Sequence, residues 1–99
     1  GIPTKEEKKW DGYCEPGNFH YTDFSKDEYK VEWVKFDDNS TASEMVKTMP
    51  HLSYFVDSIE EAIKGKEVLG AIFSPADGVR VVYINHKGSP VEFLEIKEK

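Results

Sequence analysis

The sequence predicts an α+β fold, and three observations carry that expectation. Short runs rich in aromatic and β-branched residues alternate with clusters of Gly, Pro, Asp and Ser, the pattern of strands separated by turns. Only two stretches carry helix-start signals, and each leaves room for little more than a turn or two. From residue 51 onward the signals fall in the order β-α-β-β-β.

Taken in order, "GIPT" (1–4) is apolar and reads as a strand already under way, with more chain expected upstream. Residues 5–18, "KEEKKWDGYCEPGN", mix charges with Gly12, Pro16 and Gly17 and sustain no period, which predicts a loop pinned by Trp10 and Tyr13. "FHYTDF" (19–24) and "KVEWVKF" (30–36) read as two strands of a hairpin joined by the polar turn "SKDE". Alternation along the second strand puts Glu32, Val34 and Phe36 on one face and Val31, Trp33 and Lys35 on the other. "TASE" (41–44) is a capping box, Thr41 with Glu44, predicting a short helix to about Lys47 that Pro50 ends. "HLSYFV" (51–56) is strand-like. "SIEE" (58–61) is a second capping box, leading to Ile59, Ala62 and Ile63 at helical spacing before Gly65 and predicting a helix over about 58–64. Three strands follow, "EVLGAIF" (67–73), "VRVVYIN" (79–85) and "PVEFLEI" (90–96), with turns at "SPADG" and "HKGS".

A chain of 99 residues has the size of one domain with a single core. Nineteen carboxylates against 13 Lys and Arg give a net charge of −6, the wrong sign for neutralising phosphates, so no nucleic-acid partner is expected. The one cysteine, Cys14, has no partner for an internal disulfide and no Cys/His neighbour for a structural zinc site, which fits a reducing cytoplasm. Its neighbour Glu15 would not lower the thiol pKa, so a nucleophilic role is not expected. No apolar run approaches the roughly 20 residues that span a bilayer, and the N-terminus lacks the basic-then-apolar order of a signal peptide. A soluble cytoplasmic protein without a membrane partner is the expectation.

Three of the predicted strands each carry one acid–base or metal-capable group among apolar neighbours: Glu32, His51 and Glu92. A carboxylate on an apolar face costs several kcal/mol unless it is paired, protonated or coordinated, so each asks for a reason. The plain reasons are solvent-facing carboxylates and an imidazole that caps nearby backbone. The chemical one is the ligand set of a divalent ion, zinc, nickel, cobalt, manganese or iron(II), with remaining positions open to water or substrate. Spacing alone does not bring the three together. His20 is a substitute ligand or a packing residue, and His86 reads as a solvated turn residue. Arg80 would meet an anionic substrate or lie across a strand pair with its stem buried. Tyr54, Phe55, Tyr83 and Trp33 would line an aromatic pocket or simply form core.

The run "PHLSYFVDSIEEAIKGKEVL…FSPADGVRVVYINHKGSPVEFLEI" resembles the C-terminal module of the glyoxalase/bleomycin-resistance/dioxygenase group, the vicinal oxygen chelate superfamily. "GIPT" and "YKVEWVKF" resemble the first and last strands of that group's N-terminal module. The resemblance implies one glyoxalase-like domain over 1–99 in which paired βαβββ modules form a curved, cup-shaped mixed sheet. Residues 1–49 would be an abridged first module without its helix, and 50–99 the second. It implies a metal site of Glu32, His51 and Glu92, with a fourth ligand upstream of Gly1. It also implies a divalent-metal-dependent lyase or isomerase acting on a small carbonyl or vicinal-oxygen substrate, Glu92 or Glu32 moving the proton, with no organic cofactor. Its alternatives are a metal-free small-molecule-binding module of the bleomycin-resistance kind and a purely structural domain. Members of the group often dimerise, and an abridged module would expose sheet surface for a second copy to cover.

Overall fold

A computed structural model describes residues 1–15 and 17–97. Its strands build two four-stranded mixed sheets with few and short helices, an α+β architecture. The first sheet contains β1 (Ile2–Pro3), β2 (Gly12–Cys14), β3 (Phe19–Tyr21) and β4 (Trp33–Phe36), in the order β1-β4-β3-β2. The second contains β5 (Leu52–Phe55), β6 (Glu67–Ala76), β7 (Val79–His86) and β8 (Ser89–Ile96), in the order β5-β8-β7-β6. In both sheets the first strand runs parallel to the last and the other pairs are antiparallel.

The two hairpins also share their register. Phe19↔Phe36 answers Val79↔Ile96, His20↔Lys35 answers Arg80↔Glu95, and Tyr21↔Val34 answers Val81↔Leu94, a constant offset of 60 residues. That offset sets Glu32 in correspondence with Glu92. The crossovers differ, since α2 (Ile59–Ala62) joins β5 to β6 while no helix joins β1 to β2.

Side-chain burial explains how the layers hold together. Cys14, Phe19 and Val34 form a buried cluster in the first sheet, and Tyr21, Phe36 and Phe73 pack against it. Phe73 comes from β6, so this core ties one sheet to the other. In the second sheet Val81, Val82, Tyr83 and Ile84 are all buried, because β7 is central and covered on both faces. Ile59, fully buried, plants α2 on β7 and β8. Its amide donates to Glu95 Oε2 at 2.9 Å, so a buried carboxylate from β8 serves the orphan donor of the helix start. Arg80 completes this cluster, bonding Glu95 and Glu60 at 2.8–2.9 Å, and so lies across the β7–β8 pair. The edge strand β5 leaves Leu52, Tyr54 and Phe55 more than half exposed. Among the described residues no helix is long and apolar enough to cross a membrane.

Several element boundaries differ from the sequence reading, each for a local reason. Within the stretch read as a loop, Gly12–Cys14 forms β2 against β3. Gly12, which looked like a breaker, pairs with Tyr21 and lies beneath its ring, where a Cβ would come within 2.5 Å of the ring carbon and hydroxyl. Pro16, the other breaker of that stretch, lies outside the described residues. The strand read over 19–24 stops at Tyr21 and gives way to a 3₁₀ turn at Phe24–Lys26, N-capped by Asp23. The next strand begins at Trp33 rather than Lys30, because Lys30 adopts a φ of 60° and the Asp27 carboxylate holds the amides of Tyr29 and Val31. Glu32 therefore immediately precedes β4. The first helix, α1 (Glu44–Thr48), is capped by Ser43, whose hydroxyl accepts from the Val46 amide, and not by Thr41. Val46, buried to 2% exposure, sets that frame. Met49 is extended, as the residue before Pro50 must be. The strand from Glu67 continues through Ser74 and Pro75 to Ala76 by means of two register shifts, so the turn shrinks to Asp77–Gly78. His86 ends β7 exposed, beside a turn whose Lys87 and Gly88 both take positive φ, the tight hairpin geometry that right-twisted strands favour.

Candidate functional site

The cavity that matters lies between the two sheets and has a volume of about 960 Å³. Glu32, His51 and Glu92 all line it, together with Ser53. Its walls are mainly apolar and aromatic, Phe19, Tyr21, Phe55 and Phe73 among them, and Asp11, Asp23, Lys26 and Lys30 line it as well. A concave, largely apolar space with a few converging polar groups is the usual form of a small-molecule site.

Each polar group is placed by its strand. His51 directly precedes β5, and its backbone exchanges two hydrogen bonds with Gly1, His51 N to Gly1 O at 2.8 Å and Gly1 N to His51 O at 3.0 Å. This reciprocal pair links the edges of the two sheets. It also brings Gly1 so near the imidazole that a Cβ there would collide with the ring. On the other side the imidazole meets the Tyr83 ring edge-on, centroids 5.0 Å apart at 87°. The ring is thus clamped, with its side chain 2% exposed.

Glu92 and Ser53 face one another across the parallel β5–β8 pair, and the Ser53 hydroxyl donates to Glu92 Oε1 at 2.7 Å. His51 Nε2 lies 3.4 Å from the same oxygen. That is close enough for electrostatic attraction but lacks hydrogen-bond alignment, and both ring nitrogens are buried without a hydrogen-bond partner among the described residues. Buried polar atoms are usually satisfied, so an unpartnered imidazole on a cavity wall is the feature that most asks for a ligand.

The two carboxylates are driven apart in pKa. Burial, then the charge of Glu92, pushes Glu32 up to about 7. Burial acts on Glu92 in the same sense, but the adjacent His51 and the hydroxyls of Ser53 and Tyr83 outweigh it and hold the group below its ordinary value. Burial, with Glu92 and Glu32 adding to it, raises the Tyr83 phenol well above its usual range, so it stays protonated. Near neutral pH the cavity therefore offers one ionised carboxylate and one poised between its two forms.

A divalent ion finds a partial fit here. His51, with free ring nitrogens, and Glu92 beside it have the chemistry of two ligands. Glu32 shares the cavity and feels the charge of Glu92, yet among the described residues no three His, Cys, Asp or Glu side chains come together as a metal-holding group.

Other residues singled out in the sequence go elsewhere. His20 alternates with Phe19 and Tyr21 and so leaves the cavity. It stacks against Trp10, meets Tyr13 edge-on and sits 3.9 Å from Asp37, where it is a packing residue rather than a substitute ligand. Arg80 is committed to Glu60 and Glu95. Trp33 lies under the Lys8 ammonium at 4.6 Å, and Tyr54 is exposed, so the four aromatics suspected as a pocket are not gathered into one. Cys14 lines the cavity but is buried to 2% exposure, and that burial raises its thiol pKa. Ser53 escaped the sequence reading. The signal for it was the two-residue step from His51, which puts both on one side of an extended chain.

Compared with family models, curated proteins and solved structures, the chain finds no match.

Proposed function

We propose that this chain is a small-molecule-binding domain of the glyoxalase-like kind. Its two sheets act as paired modules of a vicinal-oxygen-chelate cup, the first lacking its helix, and the cavity between them holds a small oxygenated ligand. The observation that carries this is the clamped, buried imidazole of His51, unpartnered on the wall of a 960 Å³ cavity beside Glu92 and Ser53. The shared strand order and the 60-residue register offset support the paired-module reading. Aromatic walls would hold the apolar part of a ligand, and the His51, Ser53 and Glu92 end would read its polar group.

A second reading, an enzyme of lyase or isomerase type, is favoured by the opposed pKa shifts of Glu32 and Glu92, the pattern by which two carboxylates divide acid and base roles. In it Glu92 takes a proton next to a substrate carbonyl and Glu32 supplies one. Bound at His51 and Glu92, a divalent ion would polarise that carbonyl.

The test is amide-resolved NMR with a library of small oxygenated molecules, run with chelator and then with zinc, nickel, cobalt or manganese. Shifts gathered on Tyr21, Glu32, His51, Ser53 and Phe73 under chelator are the expected result. Hits mapping only to other surfaces would defeat the cavity reading. Turnover, or binding that requires an ion, would promote the second.

A further inference from the structure

The reciprocal Gly1–His51 backbone pair joins the two sheets, and the edge of β5 beyond it stays open. Backbone groups of an extended chain alternate in direction, and the Val56 amide points inward, to the Leu94 carbonyl of β8. Ser53 and Phe55, in step with His51, therefore turn their N–H and C=O groups outward. Among the described residues neither finds a backbone partner on that side. The side chains of this edge are equally bare, with Leu52 65%, Tyr54 53% and Phe55 64% exposed. The other open edges are blunted, since β6 is broken by two register shifts and carries Pro75, and β2 has only three residues. β5 has no bulge, proline or charge.

The internal repeat indicates what fits this edge. When β4 is laid on β8 by the 60-residue offset, the parallel pair Ile2↔Trp33 falls on Tyr54↔Phe93 and Pro3↔Val34 falls on Phe55↔Leu94, so Gly1 corresponds to Ser53. The same operation carries the Gly1–His51 contact onto Ser53 and a strand position in line with β1. We propose that the outer edge of β5 is a strand-addition site, where an extended peptide segment runs antiparallel to β5 in line with β1 and exchanges backbone hydrogen bonds with Ser53 and Phe55. Side chains of that segment opposite Ser53 and Phe55 lie on the cavity face, where an acid would meet the Glu92 carboxylate beside Ser53. Those between them pack against Leu52 and Tyr54, which suits β-branched or aromatic residues. The occupant is thus a non-acidic peptide strand of high β propensity. A second copy of β5 fits less well, because the self-pairing register that engages both Ser53 and Phe55 sets the second copy's Asp57 against His51, where Gly1 already pairs.

The test is amide hydrogen exchange by NMR on three proteins: the full chain, the full chain preceded by Val-Thr-Val-Thr-Val, and that extension with proline in place of both threonines. Tethering gives the segment a high effective concentration, and its threonines fall opposite Ser53 and Phe55. In the unaltered chain Ser53 and Phe55 should exchange freely while Val56, bonded to β8, is protected. The threonine extension should slow Ser53 and Phe55 roughly tenfold or more and leave Val56 as it was. The proline version lacks the two donors and should lose most of that protection. Equal protection by both extensions, or none by either, overturns strand addition. Protection in the unaltered chain that grows with protein concentration gives the edge to a second copy and overturns the peptide occupant. None of these readouts involves a cavity ligand, so they succeed or fail independently of the small-molecule reading.

Discussion

Replacing Glu32 by Gln should stabilise the protein at neutral and alkaline pH and leave its stability almost unchanged only below about pH 4.5. The half-buried Glu32 has its carboxyl raised to about 7 from an ordinary 4.5, by burial first and then by the charge of Glu92. With the folded pKa the higher of the two, the folded state keeps the proton that the unfolded chain releases. Its stabilising contribution is therefore complete below pH 4.5 and is lost as pH rises through 7. At about 1.4 kcal/mol per pH unit, that interval is worth about 3 kcal/mol, a large share of a small domain's stability. Glutamine keeps the size and polarity but cannot ionise. The assay is urea unfolding of both proteins from pH 4 to 9 with a chelator present, and the quantity of interest is the difference between the two curves. It should be near zero at pH 4, grow chiefly between about pH 4.5 and 7 and flatten above about pH 7, with the variant ahead by about 3 kcal/mol. Curves that stay parallel across the whole range would show that Glu32 is not a buried, charge-coupled acid, and the electrostatic account of the cavity would fall with it.

Three further outcomes follow from the same geometry. Glu95→Gln should lower the melting temperature far more than Glu61→Gln, because Glu95 holds Arg80 and the Ile59 amide while Glu61 pairs with exposed Lys64; circular dichroism melts compare them directly. Since Arg80 and that amide hold the Glu95 carboxyl down to about 2, this contribution is present above the ordinary 4.5 and lost only as pH falls toward 2, so the deficit of the variant should persist at pH 4.5. Ser43→Ala should cost about 1 kcal/mol and Thr41→Ala almost nothing in chemical denaturation, and the reverse order would restore the capping box read from the sequence. Gly12→Val should destabilise by about 1–3 kcal/mol in the same assay, since its side chain would displace the Tyr21 ring from the β2–β3 pair; a neutral result would deny that contact.

Local chemistry made much of the architecture legible before any coordinates. The α+β class, the β-α-β-β-β order of the second half and the helix at Ser58 all rest on signals within a few residues, namely strand-forming runs, capping hydroxyls and Gly or Pro stops. Where a long-range partner decided the outcome, the sequence misled or was silent. Gly12 reads as a breaker until Tyr21, on the next strand, is known to cover it, whereas at Lys30 it was a local turn held by the Asp27 carboxylate that the strand-like composition hid. At the site, the residue types of Glu32, His51 and Glu92 stood out because charges among apolar neighbours need explaining. Their common cavity was only implied by the family resemblance and was not legible in their spacing, because it depends on Gly1 joining the two sheets at His51 and on a register that aligns Glu32 with Glu92 across 60 residues. Chemical identity is a property of single residues, whereas pKa, burial and an imidazole left without a partner depend on what the fold packs around them.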